Sequence, residues 1–245
     1  MSNNYINDER LLLARGQIRG ATVRNIFGYQ TAVTTSFIPA WEVAAAYTYP
    51  TGSGLAMTVE STSTSDNGKT VLIQGLDSNY NDKSETVTLN SASAPVTELF
   101  FRINDVILTS GTTNIGTITL KNAGTTYGGI RIGDGRSQAS IYTVPANREF
   151  YLYRIDAFSN DSTAPKPGIF RNFSQSSTGQ QYVVARTTFY NQMNIQRRIP
   201  FKYSEKTDIQ FQLRTQSGTY EMNVFGEGYL VTKPVNRYVY AGEYS

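Results

Sequence analysis

From Gly54 onward, short runs of alternating apolar and polar residues are separated at close intervals by clusters of Gly, Asn, Asp and Ser. GLAMTVEST, KTVLIQG, SETVTLN, ELFFRINDVIL, GTITLKN and GIRIG succeed one another in this way. Ile118 and Leu120 take one side of their run while Thr117, Thr119 and Lys121 take the other, and Ile130 and Ile132 flank Arg131. A period of two marks a strand with one buried face, and many short strands with frequent turns build a sandwich or a barrel. A second set begins at SIYTVPANREFYLYRIDAFSN, with Pro145-Ala146-Asn147 as a turn, and continues in QYVVARTTFYNQ, TDIQFQLRTQS and YEMNVFGEGYLV. Ile209, Phe211 and Leu213 against Gln210, Gln212 and Arg214 give the cleanest in-and-out pattern. The expectation is an all-β chain: an antiparallel jelly-roll-like β-sandwich, one large or two small, with an extended N-terminal arm.

Residues 1–53 differ from the rest. NDERLLLARG suits a short helix, with Asn7 or Asp8 as N-cap and Gly16 as the stop. The following QIRGATVRNIFGYQTAVTTSFIPAW has no sustained period and is broken by glycines and Pro39, so it is expected as an irregular arm. Its anchors are Ile18, Val23, Ile26, Phe27, Phe37, Ile38 and Trp41, and they would lie either on the chain's own domain or on a neighbouring subunit. Residues 54–136 and 137–245 are then the first and second portions of the sandwich.

The 245 residues suffice for a real core, and 39% apolar against 17% charged suits a folded chain with a neutral polar surface. Cysteine and histidine are both absent. That removes disulfides, thiolate metal sites, the usual general base near neutral pH, the Ser-His-Asp relay and most zinc chemistry. No cofactor or metal is expected, and enzymatic activity is disfavoured. A formal charge of +3 is too small over this length to indicate nucleic acid without a concentrated patch. No apolar run approaches the roughly 20 residues of a membrane span, so no membrane partner is expected.

Three local patterns bear on chemistry. In VLIQGLDSNYNDKSETVTLN, Asp77, Asn79 and Asn81 alternate like the ligands that open an EF-hand, but the sixth and twelfth places hold Asp82 and Thr88 rather than Gly and Glu. A hairpin tip whose Asn and Asp side chains bond their own backbone is the expected reading. Asp77, Asp82, Glu85, Asp105 and Asp156 are the carboxylates open to paired acid-base work, without a sugar-stacking set beside them. NQMNIQRRIPFKYSEK interleaves Arg197, Arg198, Lys202 and Lys206 with Phe201 and Tyr203, which would suit single strands. Glu205 and Asp208 follow at once, so a solvated loop or a protein contact is favoured over nucleic acid.

The stretch VLIQGLDSNYNDKSETVTLN resembles a segment of virion structural proteins of tailed bacteriophages, cyanophage-like marine and freshwater ones in particular. ARGQIRGATVRNIFGYQ, SIYTVPANREFYLYRI and SEKTDIQFQLRTQSGTYEMNVFGEGYLV support the resemblance in the same order, over most of the chain. It implies a virion component and carries over no catalytic residue.

Composition points the same way. REFYLYRIDAF, ELFFRINDVIL and IFRNF place aromatics on both faces of their strands, and copies of the chain or a mounting surface would bury the surplus. Tyr151, Tyr153, Phe170 and Phe173, with Arg197 and Arg198, therefore join the arm anchors as interface candidates. Expected partners are other copies, as a trimer or other symmetric oligomer, and a major capsid protein or tail and neck proteins. A head decoration or cement role is favoured, with a tail, neck or baseplate adaptor or glycan-binding module as the alternative.

Overall fold

The computed structural model describes residues 9–44, 47–90, 93–160 and 167–233. A short helix, α1 (Glu9–Ala14), ends before Gly16, whose φ of 69° only glycine adopts freely. Strands β1 (Ala21–Val33) and β2 (Ile38–Pro39) follow. Next come β3 (Thr58–Ser61), β4 (Thr70–Leu76), β5 (Asp82–Thr88), β6 (Ala94–Pro95), β7 (Arg102–Leu108), β8 (Ile118–Asn122) and β9 (Thr125–Ile130). The chain then forms β10 (Ile141–Thr143), β11 (Arg148–Asn160), β12 (Pro167–Gln175), β13 (Gln181–Tyr190), β14 (Gln192–Tyr203), β15 (Asp208–Thr215) and β16 (Tyr220–Thr232). Every named strand pairing is antiparallel, so the fold is all-β with antiparallel sheets.

The larger unit runs β1-β16-β11-β14 and then β13-β12-β15-β10, with β2 also on β15. These halves meet in the ladder only where Tyr190 pairs with Gln192 at the β13–β14 turn. Their inner faces close on one core that includes Phe150, Leu152, Phe170, Phe211, Leu213 and Val224. Phe211 of β15 lies so near β16 that a Cβ on Gly226 would sit 2.2 Å from its ring, so a glycine there lets the two sheets approach. Burying each such phenylalanine contributes about 1.5–3 kcal/mol. Asn172, fully buried on β12, donates from Nδ2 to the Tyr203 hydroxyl of β14 at 2.6 Å, a polar tie through the core. Burial raises the Tyr203 phenol well above its ordinary value, against the lowering effect of that bond.

The smaller unit is inserted between β2 and β10 and has two sheets, β6-β3-β8-β9 and β5-β4-β7. Its separate core centres on Val59, Ile73, Phe100, Val106, Ile118 and Leu120. The chain leaves and re-enters the larger unit at adjacent points. Ser140 donates from its amide to the Ala40 carbonyl at 3.0 Å, Ala40 N donates to Ser140 Oγ at 2.8 Å, and Trp41 bridges Ala139.

A buried clasp ties the units together. Arg102 of β7 donates from Nε and Nη2 to the two carboxylate oxygens of Asp208 on β15, each at 2.9 Å. Thr143 Oγ1 adds a bond to Asp208 at 2.6 Å. The guanidinium lies 4.0 Å from the Phe101 centroid and 4.5 Å from that of Tyr49. Burial lowers the Arg102 pKa, but the Asp208 bonds outweigh it and the net shift is upward. Asn104 and Thr143 exchange two further bonds across the seam, at 3.0 and 2.8 Å.

Several expectations are corrected. Residues 21–33 of the supposed arm form a strand paired with β16, with a register shift between Gln30 and Val33, because the apolar residues Ile26 and Val33 find a place in the larger unit's core. The smaller unit is inserted in the larger one, whose strands β1 and β2 precede it and β10 to β16 follow it. GIRIG is not a strand as a whole: β9 ends at Ile130, and Ile132 is 55% exposed. The two apolar faces of REFYLYRIDAF arise largely from a bulge between Leu152 and Arg154, which turns Ile155 onto the face of Phe150 and Leu152. NQMNIQRRIPFKY is a strand rather than a loop. Asn7, Asp8, the tail NRYVYAGEYS and most of DSTAPKPG lie outside the described residues.

Candidate interaction surface

Each half of the larger unit has two lateral edges. The sheet orders place β1 and β10 at one side and β14 and β13 at the other. On the first side the smaller unit touches the edge: Arg24 of β1 donates to the Asn104 carbonyl of β7 at 3.1 Å, and Asn104 bonds Thr143 of β10. On the second side, among the described residues, β13 and β14 pair only at their turn, so both present backbone that no described strand pairs.

That open side is also apolar. Ile199 is 83% exposed and Tyr190 62%, the highest values among the exposed large apolar side chains described. Ile199 projects because Leu152 pairs with Phe201 and Arg154 with Gln196, leaving residues 197–200 of β14 opposite Tyr153 alone. A bulge of this size lifts its middle residue off the sheet. Phe158 is exposed near the β13–β14 turn, and Tyr182 and Val183 at the far end of β13. Between that far end and β14 lies a groove of about 380 Å³, lined by Tyr182, Val183, Val184, Phe201 and Tyr203.

The expected interface residues divide sharply. Ile26, Trp41, Tyr153 and Phe170 are buried within the chain, Trp41 edge-on to Tyr47 and Tyr153 stacked on Tyr229. They are not available to a partner. Ile18 is half-buried, and Tyr151 is held by Glu149, to which its hydroxyl donates at 2.6 Å. Val23 and Phe27 are partly exposed and line a seam cavity of about 470 Å³ with Arg24, Asp105 and Arg136. Phe37 and Phe173 lie half-buried near Arg171, whose Cζ is 4.1 and 5.5 Å from their ring centroids. Arg197 and Arg198 immediately precede Ile199 on the bulge, with Arg197 5.7 Å from the Phe201 ring.

The candidate carboxylates are each engaged. Asp77 accepts from the amides of Asn79 and Asn81 at 2.8 and 2.9 Å, at the tip of the β4–β5 hairpin. Glu85 accepts from the Thr97 and Glu98 amides, Asp82 pairs with Arg148 at 2.9 Å, and Asp156 pairs with Arg154 at 2.7 Å. Asp105 is shared by Arg136, Ser137 and, at 3.7 Å, Arg24. Among the described residues no group of three acidic side chains is placed to hold a metal ion, and no helix is long and apolar enough to cross a membrane.

The residues missed from sequence are Tyr182, Val183, Tyr190 and Ile199. Tyr182-Val183-Val184 and Phe189-Tyr190 each break strict alternation, which is the signal that would have marked β13 as carrying apolar groups on its outer face. No protein-family model and no curated protein matches the chain. Among solved structures, the infectious bursal disease virus VP2 subviral particle aligns at 12% identity and a TM-score of 0.24, over 93% of this chain and 78% of that one. The infectious bursal disease virus Gx strain structure aligns at 11% identity and a TM-score of 0.22, over 89% and 72%. Superpositions this loose carry no argument about what the chain does.

Proposed function

We propose that the chain is a structural protein of a virion, that its larger unit is a jelly roll, and that it assembles with copies of itself through the β13/β14 side. Numbered without the insert and the two-residue β2, the two halves of the larger unit run 1-8-3-6 and 2-7-4-5. Eight strands wound back and forth between two sheets in this order suit the jelly roll, an architecture used by capsid and lectin domains alike. Fold alone therefore does not choose the task.

The observation that carries the reading is the asymmetry of the two sides. One meets the inserted unit through Arg24 of β1 and Thr143 of β10, while among the described residues the other leaves strand edges open beside Ile199, Tyr190, Tyr182 and Val183. A monomer's open edge is ordinarily blunted by shortness, charge or cover, and a long apolar edge is a pairing site. A second copy completes the ladder and removes the apolar groups from water together. The role is taken as non-enzymatic.

Within a virion we place the protein as a head decoration or cement component of a tailed phage, in line with the sequence resemblance. Many modest contacts repeated by symmetry would stabilise the shell. Sedimentation velocity and electron microscopy of the purified chain test the assembly reading. A discrete oligomer that Ile199→Asp with Tyr190→Asp dissociates is expected; a compact monomer at high concentration, indifferent to those changes, refutes it. Copy number relative to the major capsid protein tests the position. A few copies at one site would instead favour a tail, neck or baseplate adaptor.

A further inference from the structure

On the outer face of the sheet that contains β12, β13 and β15, three arginines converge on one ring. Arg171 of β12 stands directly across from Arg186 of β13 and from Gln212 of β15, and Arg214 lies two residues beyond Gln212. Their guanidinium carbons sit 4.1, 5.3 and 5.0 Å from the Phe37 centroid for Arg171, Arg186 and Arg214 respectively. Phe37 itself is supplied by the segment between β1 and β2.

Among the described residues, no carboxylate pairs with any of the three. Asp208, on the same strand as Gln212 and Arg214, is committed to Arg102. Arg214 has a buried Nε without a partner and one long bond, 3.4 Å, to the Thr35 carbonyl. Burial and the neighbouring Arg186 and Arg214 hold the Arg171 pKa below its ordinary value, which is the signature of cations crowded without an anion.

The cluster is also fixed in place. Arg171 donates from Nε and Nη2 to Gln212 Oε1, the former at 2.8 Å. Gln212 Nε2 donates to Gln210 Oε1 at 2.6 Å, and Gln210 Nε2 donates to the Tyr49 hydroxyl at 3.1 Å. Tyr49 lies against Arg102, so this row of buried amides runs from the cluster to the inter-unit clasp. Like charges are thus held together by a neutral scaffold that does not discharge them.

We propose that Arg171, Arg186 and Arg214, gathered around Phe37, form a docking point for an acidic segment of a partner polypeptide. Guanidinium forks take carboxylates in bidentate geometry, and three of them around one ring suit two or more carboxylates presented together. Nucleic acid fits less well. A polyanion needs a basic track, and the same strand face continues as Gln175, Gln210 and Gln212, while Phe37 is occupied by the arginines rather than free to stack a base. This inference rests on side chains of one sheet's outer face rather than on the open backbone edges, although Arg186 belongs to β13.

Fluorescence anisotropy with the full chain tests it, using labelled hexaglutamate, hexaglutamine and a single-stranded oligothymidine as probes. Hexaglutamate is expected to bind and hexaglutamine not to. Arg186→Gln and Arg214→Gln should each weaken hexaglutamate binding by about tenfold, the loss of roughly one charge-assisted hydrogen bond. Arg186 is exposed, so its variant should keep the parental urea midpoint, which separates lost binding from lost folding. Failure of hexaglutamate to bind, or binding unchanged in both variants, overturns the proposal. So does oligothymidine binding that is tighter than hexaglutamate and equally dependent on Arg186, or calorimetric binding of inorganic sulfate where hexaglutamate does not bind.

Discussion

Replacing Asp208 with Asn should destabilise the protein by about 3 kcal/mol, and the structure says why the figure is not smaller. An exposed ion pair contributes about 0–1 kcal/mol, because water solvates either partner when the other is lost. Here the side chains of Arg102 and Asp208 are only 9% and 5% exposed, so the guanidinium cannot turn to solvent. Removing one partner of a buried pair costs about 3–5 kcal/mol, since the remaining charge stays desolvated. Asparagine keeps the volume and one acceptor, so Thr143 and one arginine donor can still bond. Its amide nitrogen would face the other donor, which places the effect near the bottom of that range. Trp41 is the only tryptophan and lies buried where the chain crosses between the units, so its fluorescence reports the region directly. With a urea m-value of about 3 kcal/mol/M, the midpoint should fall by about 1 M. Arg102→Met with Asp208→Leu should recover most of the loss, because no charge is then left buried. A midpoint shift below about 0.3 M for Asp208→Asn, or a double variant no better than the single, would refute the view that burial sets the energy of this pair.

Other outcomes follow from single contacts. Asp66 is fully buried and accepts from Ile115 N, Gly116 N, Lys69 Nζ and Ser61 Oγ; burial raises its pKa, but these bonds together hold it well below the ordinary 3.8. A depressed carboxylate pKa contributes stability in full above the unfolded value and loses it as pH falls, so the protein should weaken below about pH 4, and Asp66→Asn should flatten that part of the curve in urea titrations at successive pH values. Asp66→Ala should cost about 3–5 kcal/mol at neutral pH, since it strands two backbone amides and a lysine, and thermal unfolding by circular dichroism would read it. Gly226→Ala drives a methyl to within 2.2 Å of the Phe211 ring and should lower stability by about 1–3 kcal/mol, seen as a lower urea midpoint without a changed slope. Deleting residues 1–53 removes β1 and uncovers β16, so the shortened chain should lose cooperative unfolding rather than survive as a sandwich.

Strand content was legible because its signal is local. Ile209, Phe211 and Leu213 alternate with Gln210, Gln212 and Arg214, and the first three are fully buried. The hairpin tip at Asp77 was legible for the same reason, because the missing Gly and Glu already excluded the helix-flanked metal loop. Pairing was not legible. β1 lies beside β16, nearly the whole chain away, and no local pattern in ATVRNIFGYQTAV names that partner. Its glycine at position 28 looked like a break, whereas a Cβ there would meet the Ala40 carbonyl at 2.5 Å, so the residue answers to a close crossing of backbones. Bulges hid the interface in both directions. One in β11 made a single-faced strand look two-faced, and another in β14 lifted Ile199 out of a stretch read for its arginines. The arginine cluster was invisible for a further reason: its members are spread over three strands, and Phe37 reaches them from before the insertion.

The insertion point links the fold to the proposed assembly. A unit with its own core can be spliced into a loop at little cost when its entry and exit are adjacent, as Ala40 and Ser140 are here. The splice, however, lies at the β1/β10 side, and the clasp of Arg102 with Asp208 draws the inserted unit down onto that side. That side is thereby engaged within the chain, at Arg24 of β1 and Thr143 of β10. The same connection cannot serve β13 and β14, because they close the opposite side, and their own turn joins them at one residue pair only. Exposed Ile199 at the bulge and Tyr190 at the turn are therefore not scattered apolar residues of the ordinary surface kind. They lie along the flank whose backbone bonds no other part of the described chain supplies, and a second molecule could satisfy both needs in one contact.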